Sequence, residues 1–319
     1  MNTGRWRTLA ALGTVYLAWG GTYPAIRVMV RTAPPLLSTG ARFLAAAALL
    51  SGCLVLTGGR GRFAVGRRSA LGAAAIGTVI LGDIGLLALA EQEVEAGIAA
   101  LIIASVPLWI VLLRVLARDR PGPSTLAGVG LGFGGVAVLI LPAGGAAGPL
   151  GWLVVLLAAA VVEAGGQIAS QRTRLPADLL VSTTLQLLAA GAVLALAGVA
   201  AGELGDVGAA RVSTDALIAF AYLVIPGSLL AYGAFAWLLA HQPISVVATY
   251  AYVNPVVALL AGRIVLGEQI TPTAMIATAA IVTGVALVVR DTRRPDAAQP
   301  PRRGGGGGPV ASDRRPVSG

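Results

Sequence analysis

The chain contains no lysine, one cysteine and one histidine, and only 12% of its 319 residues are charged. Cys53 stands alone inside an apolar run, so no intramolecular disulfide and no cysteine cluster for a metal can form. It reads as a small packing residue. His241, without a second histidine, excludes histidine-rich zinc or iron sites. The scarcity of charge, with 56% hydrophobic residues and a mean hydropathy of +0.83, excludes a water-soluble domain of this size and points to a polytopic membrane protein. All 23 basic residues are arginine, giving a net charge of +9. They are scattered between apolar runs and in the tail rather than gathered into one patch, so no nucleic-acid partner is implied.

A bilayer core of about 30 Å needs roughly 20 apolar helical residues. Ten runs meet that need: 8–27, 35–57, 69–91, 96–117, 124–141, 149–171, 178–201, 215–240, 243–266 and 272–290. Arg5 and Arg7 precede the first run as in a signal peptide, but its length and the nine runs that follow mark it as a retained span. Positive charge is enriched in cytoplasmic loops. Arg5, Arg7, Arg60, Arg62, Arg67, Arg68, Arg114, Arg118, Arg120, Arg172, Arg174, Arg290, Arg293 and Arg294 fall on the side of the N-terminus, against Arg27, Arg31, Arg211 and Arg263 on the other. The expectation is an all-α protein of the plasma membrane with both ends cytoplasmic: a short N-terminus over 1–7 and a tail over 291–319. That tail is rich in Pro, Gly and Arg and cannot bury a core, so it is expected to be disordered. It is either simply solvated or in contact with anionic headgroups of membrane lipids.

Weak internal similarity divides the chain into 8–141 and 149–290. A shift of 148 residues lays Pro107 on Pro255; a shift of 145 lays Gly20, Gly21 and Arg27 on Gly165, Gly166 and Arg172; a shift of 144 lays Ser38 and Thr39 on Ser182 and Thr183. Five spans per copy is an odd number, so the second copy would lie inverted in the membrane. Such repeats place a site near the bilayer midplane, at interrupted helices. On that reading Pro107 and Pro255 are equivalent helix interruptions in spans four and nine; the other reading is a pair of ordinary kinks.

The stretches AWGGTYPAIR (18–27), PPLLSTGARFLAAAALL (34–50), AEQEVEAGIAALIIASVPLW (90–109), TYAYVNPVVALLAG (249–262), LGE (266–268) and TGVALVV (283–289) together resemble the EamA-type drug/metabolite transporters, over essentially residues 8 to 290. The resemblance implies ten helices in two inverted five-helix repeats around a central cavity, and export of small metabolites, amino acids or drug-like compounds. It also implies a glutamate ending both span four and span nine. Glu268 matches the second, whereas the first is replaced by Arg120 with Asp119 beside it.

Ionisable residues inside a span are costly and are therefore functional candidates. Arg42 either snorkels to an interface or serves in gating or anion binding; the resemblance also assigns it to the family's Arg-Phe pair, with Phe43 following. Asp83, between Gly82 and Gly85, either pairs with Arg42 or exchanges a proton. Glu163, Gln167, Ser170 and Gln171 share one helical stripe, which suits a transport path or interhelical hydrogen bonds. Trp19 and Tyr23, and Tyr250 and Asn254, are four apart, and Trp109 and Tyr232 lie in spans four and eight; these are pathway residues or interfacial anchors. Glu91, Glu93 and Glu95 form an acidic turn, of which Glu91 matches the family motif as a residue of an outer vestibule. Arg263 and Glu268 read as an interfacial pair.

Gly130, Gly132 and Gly135 spell G-x-G-x-x-G, but inside an apolar span without the strand and acidic residue that dinucleotide binding requires. Gly128, Gly130, Gly132 and Gly134 instead suit close helix packing, within the chain or in a homodimer through this fifth helix. GRFAVGRRS (61–69) lacks the Gly-Lys-Ser/Thr of a P-loop. No clustered nucleophile, acid pair or metal set near an interface suggests an enzyme, and no cofactor is expected. A secondary transporter working by alternating access on a small-molecule substrate fits best; a channel-like or structural protein is the alternative.

Overall fold

The computed structural model describes residues 3–140, 148–205 and 212–291, and is helical throughout with no strand among them. The predicted tail, 291–319, lies outside the described residues apart from its first, as do the first two residues of the chain. In chain order the helices are α1 (Thr3–Gly20), α2 (Thr22–Val30), α3 (Pro35–Gly58), α4 (Arg67–Ile80), α5 (Asp83–Ala90), α6 (Ala96–Ile103), α7 (Val106–Leu116), α8 (Pro123–Ile140), α9 (Leu150–Ser170) and α10 (Leu179–Ala200). They continue with α11 (Thr214–Val224), α12 (Ala231–His241), α13 (Ile244–Val247), α14 (Tyr250–Ala261) and α15 (Pro272–Asp291).

Several of these join end to end, so that nine helical stretches among the described residues are long and apolar enough to cross a membrane: 35–58, 67–90, 96–116, 123–140, 150–170, 179–200, 214–241, 244–266 and 272–290. Their bounds follow the predicted runs closely. The expected first span, 8–27, is folded as α1 and α2 and is not among the nine. Large apolar side chains such as Leu56, Leu116, Leu196 and Ile264 are exposed around the bundle, as a lipid-facing surface requires.

A helix in lipid must satisfy its backbone groups internally, and where it breaks something else must take up the freed carbonyls. Here side-chain hydroxyls do so. At the α1–α2 break Thr22 Oγ1 donates to Trp19 O (2.6 Å) and the Tyr222 hydroxyl to Leu17 O (3.0 Å). Ser105, between α6 and α7, donates to Ile102 O (2.6 Å); Ser228, in the wide π-turn Ile225–Leu230 between α11 and α12, donates to Leu223 O (2.9 Å); Thr249 donates to Val246 O between α13 and α14. Pro107 opens α7 just after its break, whereas Pro255 sits inside α14. A further break at Leu81–Gly82 separates α4 from α5.

The most extensive packing is of α3 along α10 and of α8 along α15, and both pairs approach through glycine. A Cβ on Gly40 would meet Ala195 N at 2.7 Å, and one on Gly284 would meet Gly132 N at 2.7 Å. Gly128 and Gly132 are thus committed to contacts within the chain, while Gly130 and Gly134 face open space. Around these pairs, α1 packs on α12 and α14, and α9 packs on α4, α5, α6 and α7. The largest buried apolar cluster gathers Ile26, Met29, Val30, Leu87, Ile98, Ile102, Leu153, Leu156 and Leu223, where α2, the end of α5 and α6 meet the start of α9 and the second half of α11. At the other end of α1 the buried cluster is only Val15, Leu238 and Val247.

Candidate functional site

A cavity of about 400 Å³ lies between the halves of the chain. Every interrupted helix reaches it: Trp19 and Thr22 from α1 and α2, Leu81 and Asp83 from the α4–α5 break, Ala104 and Pro107 from the α6–α7 break, Gly227 and Ser228 from the π-turn, and Ala251 and Pro255 from α14. Of the predicted pathway residues, Trp19, Tyr23, Arg42, Asp83, Glu163, Gln167, Tyr250 and Asn254 all line it, as do both predicted interruptions, Pro107 and Pro255. A volume of this size suits a small molecule.

One wall is aromatic. The Trp19 ring lies 5.6 Å from Tyr232, 5.1 Å from Phe235 and 5.2 Å from Tyr250, and its Nε1 donates to Gly227 O at 3.2 Å. These edge-on and tilted contacts fix α1 against α12 and α14. Phe235 and Ser228 escaped the sequence reading. An aromatic ring or a serine in an apolar run carries no mark of the side it faces, although Phe235 falls one turn after Tyr232.

The polar wall carries Arg42, Asp83, Glu163, Gln167 and Asn254. Arg42 is buried rather than snorkelling, 3% exposed, with its guanidinium 4.5 Å from the centre of the Phe43 ring. Of the two readings of Asp83, the pair with Arg42 does not form; the Asp83 carboxyl instead lies within hydrogen-bond reach of the Glu163 carboxyl. Gln167 Nε2 donates to Glu163 Oε1 at 2.8 Å. Ser170, further along the stripe, turns back to Gln167 O, and Gln171 is exposed beyond the cavity. Trp109 donates from Nε1 to Ser105 Oγ (3.1 Å) and packs on Phe133, outside the cavity.

Glu91 does not line the cavity. It is buried, 1% exposed, in a network that closes the end where α2, α5 and α6 meet. Arg27 Nη1 donates to the backbone oxygens of Glu91 (2.7 Å) and Val94, and its Nε lies 3.4 Å from Glu268 Oε1. Glu268 caps the start of α6, accepting from Ala96 N (2.8 Å) and Gly97 N (3.1 Å). An acid at a helix N-terminus meets both unpaired donors and the positive end of the dipole. Glu203 does the same for α3, accepting from Leu36 N (3.1 Å) and Leu37 N (2.8 Å). Arg263, expected to pair with the Glu268 carboxylate, reaches only its backbone oxygen at 3.4 Å, because the carboxylate is already held by Arg27 and α6. Burial pushes the Glu95 carboxyl in this turn up, and the neighbouring Glu268 adds to the effect.

Asp119, which stands beside the position of the missing glutamate, pairs with Arg114 (2.7 Å), and α13 begins without a side-chain cap. Arg62 pairs with Asp178, the N-cap of α10. No group of metal-ligating side chains is present among the described residues.

Comparison with known proteins agrees with this geometry. The EamA-like transporter family matches twice, over residues 6–141 and 150–290. The inner membrane transporter YedA of Escherichia coli (strain K12) is 35% identical over 280 residues, covering 87% of this chain and 89% of its own. Protein PecM of Dickeya dadantii (strain 3937) is 29% identical over 280 residues, covering 85% and 88%. A solved crystal structure, 21% identical, shares the fold with a TM-score of 0.60 over 91% of this chain and 98% of that one. Two family matches in tandem, apolar helices throughout and a polar cavity between the halves make this chain a multi-pass membrane transporter belonging to the EamA-like transporter family.

Proposed function

We propose that the chain is a secondary transporter that exports small metabolites, amino acids or drug-like compounds by alternating access. Ten spans, counting α1 with α2 as the first, form two five-helix repeats of opposite orientation, with both termini cytoplasmic. The packing supports that symmetry: α1 lies against α12 and α14 as α9 lies against α5 and the α6–α7 span, while α3 with α10 and α8 with α15 pair like with like. The observation that carries the reading is the cavity, lined by polar and aromatic groups from both halves at the interruptions of their helices. The Arg27–Glu268 network and the large apolar cluster close one of its ends, which on the arginine distribution is the outer one. The open faces of Gly130 and Gly134 leave room for a homodimer through α8.

A strain lacking the gene, challenged with a panel of amino acids, dipeptides and antibiotics, should become more sensitive to the substrate class. The purified chain in lipid vesicles should then move that compound with saturable kinetics. Flux that rises linearly with concentration and does not saturate would instead mark a channel.

A further inference from the structure

Asp83 and Glu163 meet across the join between the two halves. Asp83 begins α5, immediately after the α4–α5 break; Glu163 lies in mid-α9, which packs on α5. Their carboxyl groups are within hydrogen-bond reach of each other. An ionised carboxylate has only acceptors, so two of them cannot make that bond; one must supply an O–H. Two carboxylates sharing a site also repel, and the pair is relieved by keeping one proton between them.

The surroundings supply only neutral donors, and no ion pair, to hold both as anions. Gln167 gives one N–H to Glu163, and the backbone N–H groups of Asp83 and Ile84 at the start of α5 reach the Asp83 carboxyl, whose Oδ1 is left without a partner among the described residues. The groups facing the pair are Tyr23 from α2, Arg42 from α3, Tyr232 from α12 and Tyr250 from α14, with Glu91 beyond Arg42. From α4, α6 and α7 only apolar side chains reach this cavity. Arg42, the one guanidinium in the lining, forms no ion pair with either acid. With one proton on the pair, the lining holds one negative and one positive charge and is neutral overall. Without it, a net negative charge is left in a low-dielectric cavity, which is costly.

We propose that Asp83 and Glu163 hold one shared proton and that this proton is the ion exchanged for substrate. The first half of the statement stands on the geometry alone; the second rests on the transporter reading above. The proton enters from water on the side to which the cavity opens and binds between the two carboxylates as an O–H···O⁻ bond. When the halves move, the Leu81–Gly82 break lets Asp83 part from Glu163. Two separated, hydrated carboxylates no longer share a proton, and it leaves to water as hydronium, both oxygens staying anionic until the cycle returns.

Infrared difference spectra of the full chain in lipid nanodiscs, recorded across pH, test the proton site without any substrate. Wild type should show a protonated-carboxyl stretching band at neutral pH that disappears on alkalinisation. The band should be absent in the Asp83→Asn/Glu163→Gln double variant, and its midpoint displaced by about one pH unit or more in each single variant. The amide band and gel-filtration profile report folding of each variant. No band in wild type, a band that survives the double substitution, or single variants that titrate like wild type would overturn the shared proton. For exchange, vesicles loaded with the compound returned by the growth screen should show flux accelerated several-fold by an imposed pH gradient in wild type and not in the double variant. Equal acceleration in both overturns the exchange and leaves the transporter reading intact. If wild type moves no compound of the panel, the transporter reading fails and the exchange with it, whereas the infrared result stands.

Discussion

Asp178 shows how one side chain ties two helices and senses pH. Its Oδ1 accepts from Leu180 N (3.0 Å) and Val181 N (3.3 Å) at the start of α10, and its Oδ2 accepts from Arg62 Nε (3.0 Å). Partial burial pushes the carboxyl up, but the hydrogen bonds and charge of Arg62 and the two backbone donors outweigh it and hold the group below its ordinary value. The unfolded chain therefore binds the proton more readily. The stability this provides is present at neutral pH and is lost as pH falls through the folded value, below the usual aspartate range. Asp178→Ala should lower stability by about 1 kcal/mol through loss of the cap. Asp178→Asn should keep most of the cap while reducing the acid-side slope of melting temperature against pH; an unaltered slope would refute the assignment. At Glu268 the stakes are larger, because Glu268→Ala leaves the Arg27 charge without its ionic partner and two α6 donors uncapped. A loss on the order of 3 kcal/mol is expected, and the Arg27→Ala/Glu268→Ala double variant should lose clearly less than the sum of the single changes in thermal melting. Neither role was legible from the sequence: Arg27 and Glu268 stand in different halves, and only folding brings α2 and the end of the span containing α14 together. Asp83 and Glu163 were legible as candidates, since an acid within an apolar run has few reasons to be there. Their contact with each other was not, because only the packing of α5 on α9 brings residues 80 positions apart together.

Among the elements, close packing decides which glycines matter. In α8 the sequence offers a run of glycines, against the single Gly284 of α15, and nothing in that pattern says which face is covered. The structure separates them: a Cβ on Gly284 would press on Gly128 O at 2.5 Å and Gly132 N at 2.7 Å, while one on Gly130 meets nothing within 4 Å. Gly284→Ala should therefore cost about 1–3 kcal/mol by overpacking. Gly130→Ala should be neutral or stabilising by up to roughly 1 kcal/mol, because alanine is the better helix former. Melting of the two purified variants side by side checks this, and equal melting would mean that α15 does not seat on α8 as described. The interruptions were harder to foresee than the spans. Pro107 and Pro255 announced two of them, yet the breaks at Gly21, at Leu81–Gly82 and at Ile225–Leu230 rest on small residues and on hydroxyls that also occur in unbroken membrane helices. Pro226 was the available signal for the last.

At the scale of the whole molecule, the spans were readable because lipid imposes one requirement on all of them: about 20 apolar residues apiece, with charge pushed to the ends. The first was the exception. Its polar start and Gly21 divide it into α1 and α2, so its length alone does not make it one span. Whether it crosses decides the topology of everything after it. If it does, the turn at Asp119, after four crossings, lies on the cytoplasmic side, and Gln269, after nine, lies outside. The arginines at 60, 62, 67, 68, 114, 118 and 120 then share the compartment of Arg5 and Arg7, as the positive-inside tendency demands. Five crossings then separate Asp119 from Gln269, an odd number, so the proposed repeats would face the membrane in opposite senses. The protein lends itself to a direct test because Cys53, its single cysteine, is exposed and can be replaced by alanine. In that background Asp119→Cys should react with an impermeant maleimide only after the inner face is opened, and Gln269→Cys should react from outside in intact cells. Reaction of both from the same face would mean that an even number of crossings separates them, and a pair of inverted five-helix repeats could not then be built from this chain.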